Sequence, residues 1–264
     1  MSQRGCGFLW GSGRLMSLGR SHPCKKREDG AASVMVAPET EKKREGSARL
    51  RASGWWFIPP SLATAPADIL AALGPIVPSR EGALHRDLVP YPRAFAPRDS
   101  MSALTGTDEQ PMHTDAAYAP CPPRYIAFQC LDPGEAPCPT LVWTLDVGRL
   151  KQDRPAGLTS IKWVTKGGGR PPFYCSVVDV QREEIRIRFD PLCMRPICGC
   201  IEAADEAEQL LCAYSRRLSF EWERGAMLLV DNWRCLHARG RGADSAPSRR
   251  LRRWSIGVDH GLVV

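Results

Sequence analysis

The stretch MLLVDNWRCLHARG, residues 227–240, decides how the rest of the chain is read. Met227–Val230 is a short unbroken apolar run that ends at polar turn residues, the pattern of a buried strand. It delivers Asp231 and Asn232 to a turn, after which the chain presents an imidazole, His237. An imidazole at the end of a buried strand invites a search for partners. The chain holds only five histidines. His22 lies in a basic N-terminal tract, and His85 and His260 have no motif around them. His113 sits in PMHTDAAYAP, residues 111–120, two positions before Asp115.

On a strand, residues i and i+2 face the same side, about 7 Å apart. His113 and Asp115 can therefore aim both side chains at one ion. H-x-D occurs by chance in many chains, so the pair needs a third ligand from a distant strand, and His237 is the candidate. Two histidines and one carboxylate on one face, with other positions open, form the facial triad of non-haem Fe(II) sites.

Composition narrows the alternatives. The net charge of +7 suggests nucleic acid until it is located. Residues 1–53 hold 11 Lys/Arg against 5 Asp/Glu, a surplus of +6; the remainder holds 36 − 11 = 25 against 29 − 5 = 24. The excess belongs to the tail rather than to a folded face, which argues against a nucleic-acid binder. No apolar run approaches the ~18 residues of a membrane span. The 11 cysteines are scattered and follow no secretory signal, so free thiols in a cytoplasmic protein are expected. Cys193, Cys198 and Cys200 lack the paired spacing and the nearby histidine of a structural zinc site.

Residues 1–53, with KKRED and EKKRE and no apolar period, read as a disordered extension or a tract upstream of an internal start at Met16 or Met35. Its acid-free, Arg-rich beginning also permits a targeting peptide. Order is expected from 54 to 264 as one domain. ATAPADILAALGP reads as a helix capped by Thr64, with Pro66 in its first turn and Gly74-Pro75 as its stop. YIAFQCL, TLVWTL, IKWVT, YCSVVDV, EIRIRFD, GAMLLVDNW and RRLRRWSIGVD read as strands. Residues 201–218 read as one amphipathic helix with Leu210, Leu211 and Tyr214 on its apolar stripe. Many short strands with few helices predict a mainly β fold with flanking helices, a sandwich or barrel.

HTD, PPRYIAFQCL, PTLVW, DNWRCLHARG and RRLRRWSIG, in that order, resemble the TauD/TfdA branch of Fe(II)/2-oxoglutarate-dependent dioxygenases over about residues 65–264. DNWRCLHAR is also similar to the matching run of the γ-butyrobetaine and trimethyllysine hydroxylases. The resemblance implies a double-stranded β-helix (a jelly roll of the clavaminate synthase-like kind). It implies Fe(II) held by His113, Asp115 and His237, with 2-oxoglutarate as cosubstrate, O2, and a small-molecule substrate. The family places an arginine for the distal carboxylate of 2-oxoglutarate a dozen residues beyond the second histidine; Arg249 fits, and Arg250 is its neighbour. A second arginine four residues on corresponds to Arg253, expected to touch substrate or to help position the cosubstrate. Strand parity puts Arg249 and Arg253 on one face and Arg250 and Arg252 on the other with Trp254. Thr140 matches the family's hydroxyl on the same carboxylate, although PCP replaces the usual glycine-rich approach to it.

Other residues stay open between two readings. Tyr118, Tyr125 and Trp143 either line a substrate pocket or pack in the core. Arg188 and Asp190 either form a structural ion pair or bind substrate. Residues 147–172, with KGGGRPP, are the lid candidate. Halogenating relatives replace the carboxylate of the triad with a small residue, so Asp115 implies hydroxylation, or failing that desaturation or sulfonate/ether cleavage. The alternative from another class is a catalytically silent β-helix serving as a binding module.

Overall fold

Alternation along the strands sorts the apolar residues into layers. The computed structural model describes residues 46, 48–62, 65–79, 81–98, 100–181, 184–197 and 201–258. Its first strands are β1 (Trp55–Ile58), β2 (Arg86–Leu88), β3 (Tyr125–Asp132) and β4 (Thr140–Leu145). A middle group follows: β5 (Trp163–Gly167), β6 (Arg170–Cys175), β7 (Val178–Gln181), β8 (Glu184–Ile187) and β9 (Met194–Pro196). The last are β10 (Ser215–Phe220), β11 (Met227–Asp231), β12 (Cys235–Arg239) and β13 (Arg250–Ile256). An antiparallel five-stranded sheet runs β1-β11-β3-β13-β2, and a three-stranded one runs β10-β4-β12.

One face of each sheet looks inward. Ile126, Phe128, Leu228, Val230 and Leu251 of the large sheet pack against Val142 and Cys235 of the small one. The alternate residues of the large sheet, Ala127, Leu229, Trp254 and Ile256 among them, face outward under Leu50, Ile69 and Leu70. The alternate residues of the small sheet, Leu141, Trp143 and Leu236, are covered by Leu211 of the helix Ile201–Ala213. Period-two alternation on two facing sheets, each with a covered back, is a mainly β fold with flanking helices, as the pattern predicts, and fits the jelly roll that the resemblance implies.

The structure corrects several boundaries. Order does not begin at 54: residues 48–53 are helical, and Leu50 is 1% exposed in the outer core layer. Leu50 escapes a sequence reading because a single apolar anchor in a basic tract has no period to reveal it. The helix expected over 201–218 ends at Ala213, and Ser215–Phe220 is instead β10, paired with β4 along six residues. Its arginines belong to that strand: Arg217 lies over the Trp143 ring and donates to Glu109 at 3.3 Å. Ladder hydrogen bonds there outweigh local helix propensity. YCSVVDV is broken between β6 and β7. The segment 147–172 holds helices Val147–Asp153 and Ala156–Thr159 and then the β5–β6 hairpin. Gly168 in its turn has φ +61°, and a Cβ there would lie 2.2 Å from the Tyr118 ring, so the turn needs glycine twice over.

Residues 1–45, Thr64, Cys198 and Cys200 lie outside the described residues. Among the described residues seven cysteines are free thiols, and no helix is long and apolar enough to cross a membrane.

Leu50→Ala is expected to lower unfolding stability by about 2–5 kcal/mol, read by chemical denaturation. An unchanged midpoint would return the domain boundary to residue 54.

Candidate metal centre

β12 carries Cys235, His237 and Arg239 on its inward row, while Leu236 and Ala238 face out. His237 stands directly opposite His113. His113 N donates to His237 O at 3.0 Å, and His237 N donates to His113 O at 2.9 Å. This reciprocal pair brings the imidazole centroids to 4.7 Å. Asp115, two residues on, completes a cluster whose ligand atoms all lie within 4.8 Å of one another. It is the one group of His, Cys, Asp or Glu close enough to hold a metal among the described residues.

Each ligand is held by its surroundings. His113 Nδ1 lies 3.0 Å from Pro111 O, which places its proton there and leaves the Nε2 lone pair free. Phe128 packs edge-on against His237. Burial, and next the neighbouring His113, push the His237 imidazole down to about 3, against the opposing pull of Asp115. It is therefore neutral at physiological pH, as a metal ligand must be. Asn232 grips the Asp115 backbone from both sides: its Oδ1 accepts from Asp115 N at 2.8 Å, and its Nδ2 donates to Asp115 O at 3.0 Å. Thr114 exchanges hydrogen bonds with Phe189. Beyond the ligand, Ala116 has φ +55°, and Arg188 donates to the carbonyls of Ala117, Ala119 and Pro120.

Burial alone would raise the Asp115 pKa, but Arg253, then His237 and His113, outweigh it and hold the carboxyl below its usual range. Arg253 Nη1 lies 2.9 and 3.0 Å from the two carboxylate oxygens. Arg253 therefore contacts the acid of the triad, where the family resemblance implies substrate or cosubstrate contact.

A second feature lies beside this cluster. Arg249 is 4% exposed; its Nε donates to Cys138 O at 2.9 Å and its Nη2 to Thr140 Oγ1 at 3.4 Å. No carboxylate pairs with this guanidinium among the described residues, and burial lowers its pKa. A buried cation without a counter-ion is costly and suits an incoming anion. Trp222 Nε1 donates to Thr140 Oγ1 at 3.0 Å. The Thr140 oxygen thus accepts two hydrogen bonds, and its own proton is free to donate to a ligand. Arg250 is exposed, and Arg252 pairs with Asp87 at 2.8 Å.

Strand reading alone misses Trp222, Asn232 and Phe128. DNW is visible as a turn, but its target 117 residues away is not. Tyr125 and Trp143 are core residues of the two outer layers, and Tyr118 lies on the glycine turn. Arg188 caps carbonyls instead of pairing with Asp190, which accepts from Leu192 N.

Residues 201–254 match the family model described as Taurine catabolism dioxygenase TauD, TfdA family. That segment contains β11, β12, His237, Arg249 and Arg253. Solved structures share the chain's fold. Asparagine oxygenase in complex with Fe(II), 3-hydroxyasparagine and succinate superposes with a TM-score of 0.60 at 18% identity, over 82% of this chain and 79% of that one. The non-haem iron oxygenase OrfP in complex with Fe and alpha-ketoglutaric acid gives 0.60 at 18%, over 84% and 80%. OrfP with Fe, succinate and (3S)-hydroxy-L-Arg gives 0.60 at 18%, over 84% and 81%. No curated protein matches this chain by sequence. The donor set suits a divalent first-row metal: a neutral His237, a second imidazole with its Nε2 free, and one ionised carboxylate.

Asn232→Ala is expected to weaken Co(II) binding by roughly 10–100-fold, because it frees the Asp115 backbone while leaving all three ligands in place. Asp115→Ala should remove tight binding altogether. Titration followed by the visible absorption of Co(II) reads both; an Asp115→Ala variant that binds like the parent would remove that residue from the ligand set.

Proposed function

We propose that the protein is an Fe(II)- and 2-oxoglutarate-dependent dioxygenase that hydroxylates an aliphatic carbon of a small molecule of the amino-acid class. The observation that carries this reading is the juxtaposition of the His113–Asp115–His237 cluster with a buried Arg249 that has no counter-ion among the described residues. A metal site alone has many uses. A metal site beside a fixed guanidinium suits a ligand that chelates at one end and carries a carboxylate at the other, as 2-oxoglutarate does. The solved relatives support the substrate class, since asparagine oxygenase and OrfP are bound to hydroxylated amino acids.

His113, Asp115 and His237 would hold the iron on one face. Arg249 would take the distal carboxylate of 2-oxoglutarate through its guanidinium, with the Thr140 hydroxyl donating beside it. Trp222 fixes that hydroxyl's direction by occupying one of its lone pairs. Iron, 2-oxoglutarate and O2 together supply the oxidation of a C–H bond, with succinate and CO2 released. The chain's part is to hold the reactants in register and to exclude water. His237, Thr140 and Arg249 are all buried, so bound reactants would lie in a recessed, weakly screened site. With Asp115 in the ligand set, hydroxylation is the outcome the site favours.

Purified protein given Fe(II), 2-oxoglutarate and the proteinogenic amino acids one at a time should release succinate above its substrate-free rate for at least one of them. No succinate under any condition would remove the enzyme reading. Arg249→Gln is expected to raise the apparent Kd for 2-oxoglutarate by roughly 10–150-fold, the worth of hydrogen bonds to a charged group, with Co(II) affinity unchanged. An unaltered Kd would assign the carboxylate to another cation.

A further inference from the structure

β2 is the edge strand of the large sheet, and it sets Arg86 directly opposite Arg253 on β13. Arg86 shares its strand face with Leu88, and Arg253 shares its own with Leu251. Leu88 and Leu251 both belong to the interior layer, so the two arginines point to the metal-cluster side of the sheet. Like charges directly opposite each other across a ladder repel. Arg253 is compensated, because both oxygens of Asp115 lie within 3.0 Å of its Nη1. Arg86 is not. Its neighbour Asp87 faces the other way and is engaged by Arg252 at 2.8 and 3.1 Å. No carboxylate pairs with Arg86 among the described residues. It is exposed at the open edge of the sheet, and the register sets it beside Arg253, whose guanidinium meets Asp115.

Three guanidiniums are thus accounted for: Arg253 against Asp115, Arg249 against Thr140, and Arg86 opposite Arg253. The role of the third depends on the dioxygenase reading. The charges of Fe(II) and 2-oxoglutarate cancel, so loading the site leaves this positive excess in place. Arg249 faces the cosubstrate and Arg253 is committed to Asp115. The uncommitted cation is Arg86.

We propose that Arg86 is a substrate-specificity residue that binds the carboxylate of the molecule entering the cleft beside the metal cluster. Arg253, at the position where the family resemblance implies substrate contact, is instead a positioning residue for Asp115. A charged edge residue also discourages strand pairing between molecules, but that duty is indifferent to what enters the site.

The test is calorimetric titration of the Co(II)- and 2-oxoglutarate-loaded protein with the proteinogenic amino acids and, in parallel, with their C-terminal carboxamides. At least one acid should bind about tenfold or more tightly than its amide. Arg86→Gln should bring that acid to the affinity of its amide, with Co(II) and 2-oxoglutarate affinities as in the parent, and Arg86→Lys should recover part of the difference. An amide that binds as well as its acid, an acid-to-amide ratio unchanged in Arg86→Gln, or no binding by any acid would each overturn the assignment. Succinate release separates this idea from the one it rests on. Acids that bind through Arg86 without turnover contradict the dioxygenase reading alone; turnover of amides as readily as acids contradicts the role of Arg86 alone.

Discussion

The reciprocal backbone pair between His113 and His237 is the constraint on which the rest of the site depends. Two hydrogen bonds, at 2.9 and 3.0 Å, tie the approach to β3 onto β12 and lock the register of one against the other. Because side chains alternate on extended backbone, a slip of one residue would turn both imidazoles away from the cluster. Asp115 gains its place from the same register, with Asn232 fastening its peptide from the opposite side. The metal ligands are thus positioned by main-chain pairing, which is stiffer than side-chain packing alone.

Around this pair the chain uses arginine in three distinct ways. Arg188 ends inside a loop and satisfies three carbonyls that would otherwise be stranded by the left-handed turn at Ala116. Arg239 does similar work for Gly106 and Asp108, tying the segment before His113 to β12. Arg253 faces a carboxylate, and Arg249 faces none among the described residues. A buried guanidinium that lacks an acid destabilises the fold, and such a cost is retained where a ligand offsets it. Charge placement therefore separates the arginines that hold the scaffold from Arg249, which meets only a carbonyl and a hydroxyl among the described residues.

Much of the site was legible in the sequence because its elements have period two. H-x-D gives two side chains on one face, and alternation along β13 puts Trp254 outward and Leu251 inward, although a register irregularity between Arg250 and Leu251 keeps Arg249 and Arg250 out of that alternation. What the pattern could not carry was contact between segments far apart in the chain. Trp222 reaches Thr140 across 82 residues, and Asn232 reaches Asp115 across 117. Local propensity also misled at Ser215–Phe220, where a run with helical character is drawn into the ladder beside β4.

The sequence by itself determined the strand periodicity and the mainly β class, because alternation is a local property of the chain. Only the tertiary structure decided that Leu50 belongs to the core, that Arg253 meets Asp115, and that Arg86 stands opposite Arg253 with no carboxylate partner among the described residues. Those outcomes depend on which strands pair and in what register. Pairing is a free-energy balance over the whole sheet, and no single stretch of residues contains it.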